Sequence, residues 1–149
     1  MPGSYASVYL CGITVAVNQV HVVVSVRPIS RNEVSLFHKT TLRATYDEAR
    51  AAAPGVDDVI LINDRAEVTE STIANLVVRF GEVWLTPPLD SGCLPGVYRA
   101  ELLASGRIEE APIAMGDLAA ADDIAVINSV RGWRRAVLVP RTDFTGRPR

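Results

Sequence analysis

From Val8 to Val26 the chain (VYLCGITVAVNQVHVVVSV) runs 19 residues without a formal charge, close to the length that spans a bilayer as a helix. Three features turn the stretch toward strands instead. Asn18, Gln19 and His21 sit near its middle, and the rest is crowded with β-branched Val, Ile and Thr, whose stiff side chains favour extended backbone. No basic flank precedes it, which also weakens a signal-peptide reading. Two strands are predicted, over 5–17 and 20–26, with Asn18-Gln19 near a turn; a membrane anchor is the alternative.

Beyond Pro28 the pattern alternates between helix and strand. Residues 40–53 (TTLRATYDEARAAA) are Ala-rich and amphipathic and end at Pro54-Gly55, which predicts a helix. The run 57–63 (DDVILIN) predicts a buried strand. Asp64-Arg65 turns into a second strand through Glu67 to Glu70. Residues 75–80 and 82–86, split by Gly81, predict a hairpin, and Pro87-Pro88 with Ser91-Gly92 mark a loop. A helix is predicted over 95–105, with Val97, Leu102 and Leu103 on one face and Gly106 as its cap. Then come a strand over 107–113, a short helix over 116–122, strands over 123–128 and 133–139, and a frayed polar tail from Pro140. Mixed elements with frequent hairpins imply one α/β domain on a mixed sheet, not a doubly wound parallel one.

Composition narrows the function. The chain has 149 residues, 48% hydrophobic and 21% charged, with a net charge of −2. Those are globular proportions without the basic excess that a nucleic-acid or anionic-lipid partner calls for. Two cysteines, Cys11 and Cys93, and two histidines, His21 and His38, are too few for a disulfide framework or a zinc site, so no metal is expected and a reducing cytoplasm is the default compartment. GxGxxG, Walker A, HExxH and GxSxG motifs are missing. The adjacent acids Asp57-Asp58, Glu109-Glu110 and Asp122-Asp123 read as solvated surface, because neighbours in a strand face opposite ways.

Three local patterns carry chemistry. Of the 15 basic residues all but Lys39 are Arg. Arginine replaces lysine wherever charge suffices, but not where an amine must lose its proton and act as a nucleophile. Lys39 opens a predicted helix after the strand-like Val34 to Phe37, and the positive end of the helix dipole there favours the neutral amine. Pro95-Gly96-Val97-Tyr98 places a glycine at a helix start, where free backbone N–H groups can approach a phosphate. Asn128-Ser129, followed by Arg131-Gly132, adds a hydroxyl and amides at a strand end. Singly, each also reads as an ordinary surface lysine, helix start or polar turn.

Taken in order, FHKTTLRATYDEA (37–49), DDVILINDRAEVTESTIANLVV (57–78), LTPPLDSGCLPGVYRAELLASG (85–106) and DLAAADDIAVINSVRGWRRAVL (117–138) resemble the C-terminal domain of fold-type IV pyridoxal-phosphate enzymes, the class IV aminotransferase family. The resemblance covers roughly residues 30–139. The His-Lys-Thr-Thr and Asn-Ser-Val-Arg-Gly segments are most similar to 4-amino-4-deoxychorismate lyases. The resemblance implies pyridoxal 5′-phosphate as cofactor and Lys39 as the lysine that holds it. Glu70 matches the acid that pairs with the pyridine nitrogen and keeps it protonated, which makes the ring a better electron acceptor. Leu94 matches the apolar residue packed on the ring, Val97 and Tyr98 the backbone amides at the phosphate, and Ser129 a phosphate-binding hydroxyl. Asn75 lies in the family's Ala-Asn-Leu motif, in a structural role. Tyr46 is a candidate for the ring hydroxyl, and Arg131 for a substrate carboxylate, on guanidinium–carboxylate complementarity. Ala66 stands where the family usually has Gly, and Val77 where Phe is common.

The activity so implied is a β-elimination that converts aminodeoxychorismate to 4-aminobenzoate, a folate precursor, and pyruvate, with Lys39 as the base. Two alternatives stand beside it: an aminotransferase for branched-chain or D-amino acids, and a non-catalytic remnant or partner half. Family members carry a further N-terminal domain, which residues 1–27 do not resemble; the expected division is a strand-rich segment over 1–29 and the cofactor-binding domain over 30–149. The expectation is therefore a truncated or partial form, associating as a homodimer or with a separate N-terminal half.

Overall fold

The structure, a computed structural model, describes residues 7–10, 13–16, 19–30 and 39–141, with side chains over 19–30 and 43–141. The predicted strand over Val34 to Phe37 and the tail from 142 onward lie outside the described residues, as does Asn18 of the predicted turn.

Strand β1 (Ser7–Leu10) pairs antiparallel with β2 (Ile13–Ala16). One continuous strand over 5–17 was the sequence expectation; the register, with Leu10 opposite Ile13, makes it a hairpin instead. Next in the chain come β3 (Val20–Ile29), helix α1 (Lys39–Ala51), β4 (Asp58–Asn63), β5 (Val68–Ser71), β6 (Asn75–Phe80) and β7 (Val83–Thr86). Helix α2 (Val97–Ala104), the two-residue β8 (Glu109–Glu110), β9 (Asp123–Asn128) and β10 (Gly132–Leu138) follow. No helix among the described residues is long and apolar enough to cross a membrane.

Eight strands form one sheet in the order β5-β4-β3-β10-β9-β6-β7-β8. β3 runs parallel to both β4 and β10, β7 runs parallel to β8, and the other pairings are antiparallel. The mixed sheet read from the sequence is the observed one. It curls: past β8 the chain returns to β5, where Val68 N–H donates to Ile113 O (2.9 Å) and Met115 N–H to Ala66 O (2.8 Å). Those bonds cover the outer edge of β5, which would otherwise present unpaired donors.

Side-chain alternation explains which face is which. Ile60 and Ile62 of β4, Leu76 and Val78 of β6, and Ile124 and Val126 of β9 fill the inside of the curl with Val20, Val22, Val68, Ile113 and Leu118. The residues between them point outward and meet the helices. Val77, Ala125 and Ile127 pack with Leu102 of α2, while Leu61 and Ile29 pack with Tyr46 and Ala49 of α1. β4 is buried at every position because both its faces are covered. Each such Ile or Leu contributes roughly 2 kcal/mol by burial, so both helices are held by the outward set.

Three expectations need correcting. Val97 is 67% exposed and does not share a buried face with Leu102, because it sits at the mouth of the first helical turn. The strand expected over 107–113 shrinks to Glu109–Glu110, because its ladder partner β7 ends at Thr86. Asp58 and Glu110 are not free surface acids. Asp58 is buried, and Glu110 pairs with the buried Arg99.

Candidate functional site

A cavity of about 280 Å³ opens on the outer side of the sheet, where α1, the β5–β6 turn, the loop leading into α2 and the β9–β10 turn converge. Each wall has a local cause. The β5–β6 turn is closed by Ser71, whose hydroxyl accepts from Ala74 N–H (3.0 Å) and donates to Ala74 O (3.1 Å). Asp58 braces the same turn from β4: its Oδ1 accepts from Thr72 N–H (3.2 Å) and from the Thr72 hydroxyl (2.5 Å). The loop after β7 is anchored by Asn63, which donates to Ser91 O (2.9 Å), and by Arg65, which bridges Glu67 and Asp90.

Glu70 closes the inner end. It is 3% exposed. Tyr46 donates its phenol to Oε1, Leu94 donates its N–H to Oε2 at 3.1 Å, and Asn75 Nδ2 lies 3.5 Å from Oε2. Burial pushes the Glu70 carboxyl up to about 7, against the opposing pull of its donors and of Arg99; the negative charge of Asp58 adds to the rise. Burial, then the charge of Glu70 and the hydrogen bond to it, push the Tyr46 phenol well above its ordinary value, so it stays a donor. Cys93, also buried, is pushed up to about 11 and is a thiol at neutral pH.

The opposite end is rich in donors. Gly96 is the N-cap of helix α2; its carbonyl accepts from Ala100 N–H at 3.0 Å, and no side chain caps the helix. Its first N–H groups therefore carry the partial positive charge of the helix end toward the cavity. Gly96 is required there: a Cβ at this position would meet Asn75 Oδ1 at 2.1 Å. Asn75 in turn donates to Leu94 O at 2.9 Å, so one amide ties the acid end to the α2 loop. Ser129 brings a hydroxyl from the exposed β9–β10 turn.

Of the residues singled out by sequence, Glu70, Leu94, Val97, Tyr98 and Ser129 all line this one cavity, together with Tyr46 and Asn75. Arg131 does not: it is exposed on the β9–β10 turn, and its N–H donates to Asn128 Oδ1 at 2.7 Å. Lys39 is the first residue of α1, seven residues and nearly two turns before Tyr46, so the two positions share a helix face; the lysine side chain lies outside the described residues.

The sequence reading missed Asp58, Thr72 and Arg99. Arg99 is 4% exposed, donates to Pro87 O (2.9 Å) and pairs with Glu110. Its i, i+3 spacing from the buried Leu102 was the available signal. A larger concavity of about 660 Å³ between α1 and β3 has a mostly apolar lining, with Arg27, Glu48 and Arg141 among its residues, and holds none of the residues singled out by sequence.

The chain matches the family model "Amino-transferase class IV" over residues 13–139. A Haemophilus influenzae protein of uncharacterized function is 38% identical over 106 residues, 71% of this chain and 55% of that one. A candidate aminodeoxychorismate lyase of Schizosaccharomyces pombe is 34% identical over 112 residues, 70% of this chain and 48% of that protein. The crystal structure of a candidate amino-acid aminotransferase from Mesorhizobium loti superposes with a TM-score of 0.76 at 41% identity, covering 82% of this chain and 60% of that one. The chain thus spans about half the length of the curated relatives it matches. Members of this family depend on pyridoxal phosphate. With a family match across most of its length and the mixed, curled sheet of fold-type IV enzymes, this chain belongs to the class IV aminotransferases.

Proposed function

We propose that this chain binds pyridoxal 5′-phosphate and contributes to a lyase of the aminodeoxychorismate type, releasing pyruvate and 4-aminobenzoate. The observation that carries the reading is the meeting, in one cavity, of a buried carboxyl, an apolar wall, an uncapped helix N-terminus and a hydroxyl drawn from four separate segments.

Those residues fit the cofactor. A carboxyl poised near 7 ionises fully once a cationic heterocycle lies beside it, and then holds a proton on the ring nitrogen. The N–H groups of Val97 and Tyr98 suit phosphate oxygens, and the Ser129 hydroxyl adds a further donor. Leu94 presents an apolar surface to a flat ring and excludes water from it. When bound, the cofactor supplies an electron sink for a carbanion next to nitrogen. Lys39 would hold the cofactor through its side-chain amine, and that amine in its neutral form would be the base toward the substrate carbon that bears the nitrogen.

Borohydride reduction of the purified chain with pyridoxal phosphate, followed by peptide mapping, tests the first half: the label belongs on Lys39. Feeding aminodeoxychorismate and assaying pyruvate tests the second. An amino-acid aminotransferase is the other reading, favoured by the identity to the Mesorhizobium loti structure. Turnover of an amino acid with 2-oxoglutarate, without pyruvate from aminodeoxychorismate, selects it. If Lys39→Arg changes neither cofactor uptake nor turnover, both enzyme readings fail.

A further inference from the structure

Glu70 and Tyr46 are 24 residues apart in sequence and belong to different elements, yet they are joined by a direct hydrogen bond at the inner end of the cavity. The last torsion of a glutamate side chain is soft and nearly two-fold, so a carboxylate held by one donor can still rotate its plane. Here donors from different segments reach both oxygens, with Asn75 Nδ2 at 3.5 Å from Oε2 beside the two shorter bonds. Tyr46 of α1 takes Oε1, and the Leu94 backbone N–H takes Oε2 at 3.1 Å. Two donors on two oxygens fix the plane. Asn75 supports the second donor by holding Leu94 O at 2.9 Å.

We propose that Tyr46 is a positioning residue for Glu70: its phenol pins one carboxylate oxygen, fixes the carboxylate plane toward the cavity and joins the acid to the helix that begins at Lys39. The importance of this arrangement for catalysis rests on the cofactor reading above. The family resemblance had made Tyr46 a candidate for a different target, a ring hydroxyl of the cofactor. The observed partner is the carboxylate. Because Tyr46 and Lys39 share a face of α1, any shift of that helix displaces the acid's donor together with the lysine position.

The charged and titratable groups acting on Glu70 from the described elements are Asp58 on β4, Arg99 on α2, Cys93 in the preceding loop and Tyr46 on α1. Tyr46 and Cys93 are the two neutral groups among them, and of those two Tyr46 is the one that donates to the Glu70 carboxylate.

The test needs no cofactor. In the full chain labelled with 13C at its glutamate carboxyls, the Glu70 signal is identified by its loss in Glu70→Gln, and its pH titration is followed. Tyr46→Phe removes the donor and should raise the midpoint by roughly one pH unit, the scale of one hydrogen bond to a charged group. Replacing Tyr46 by 3-fluorotyrosine keeps the shape and strengthens the donor, so the midpoint should fall. A purely structural Tyr46 would not respond to fluorination. An unchanged midpoint with fluorotyrosine overturns the proposal, whether or not Tyr46→Phe folds or shifts it. Failure of the wild-type chain to take up pyridoxal phosphate would sink the enzyme reading and leave this titration intact.

Discussion

The two ends of the cavity are built by opposite means. At the inner end the carboxyl of Glu70 is buried, hydrogen-bonded on both oxygens and braced by Asp58 and Asn75 on neighbouring segments. At the other end the groups are backbone N–H donors on an uncapped helix and a hydroxyl on an exposed turn, where Val130 is 90% exposed. The difference teaches where precision is needed. On the proposed function, a carboxylate acting on one ring atom must be fixed in plane and in proton affinity; its hydrogen-bond donors supply the first and burial the second. A phosphate dianion is met by several donors at once and tolerates an open, solvated setting.

The sharpest way to break that comparison is at Lys39. On the proposed function, Lys39→Arg should abolish borohydride-trapped cofactor and lower turnover by about a thousandfold or more, the usual scale for losing a general base; rapid-mixing assays read it. Retained turnover would move the chemistry away from α1.

At the inner end, the raised Glu70 carboxyl ties stability to pH. Its folded pKa, about 7, lies above the ordinary 4.5. The native state therefore binds the extra proton between those values. Glu70 leaves the fold most stable below about pH 4.5, and stability is lost as pH rises through about 7. Glu70→Gln should remove this dependence and be more stable than the wild type at pH 8 by up to about 3 kcal/mol, while costing about a hundredfold in turnover. Denaturant unfolding at two pH values, set beside an activity assay, measures both; a wild-type chain whose stability is flat between pH 5 and 8 contradicts the first.

Gly96 joins the two ends. Gly96→Ala places a methyl on the Asn75 amide and should cost about 2 kcal/mol through strain, seen as a lower melting temperature together with weaker phosphate binding. The smallest effect lies outside the cavity and has the opposite sign. Ala66 adopts a positive φ of 56°, a left-handed conformation that a Cβ resists. Ala66→Gly should stabilise the chain by about 1 kcal/mol or less, once the looser unfolded state is counted, without altering either end of the site.

Much of this was legible in the residues. The apolar run of β4, the Gly81 hairpin and both helices follow from periodicity and turn residues that act over a few positions. The strand over 107–113 was not, because its length depends on where β7 stops. Asp58 shows the same limit. Alternation correctly sets it opposite Asp57, which pairs with His21 at the surface, but only the β5–β6 turn lying over it makes it a buried brace.

What the sequence determined by itself was the inventory: a single lysine at a helix start, an acid at the end of a short strand, a glycine before a second helix and a hydroxyl in a turn, each fixed by local spacing. What only the tertiary structure decided was their meeting. β3 inserts between β4 and β10, the sheet curls, and elements far apart in the chain converge on one side of it. The pairing of Tyr46 with Glu70 and the exclusion of Arg131 from the cavity follow from that closure. The reason is physical: local propensities act over a few residues, whereas the contacts that set a carboxylate's orientation and proton affinity are made across the folded core.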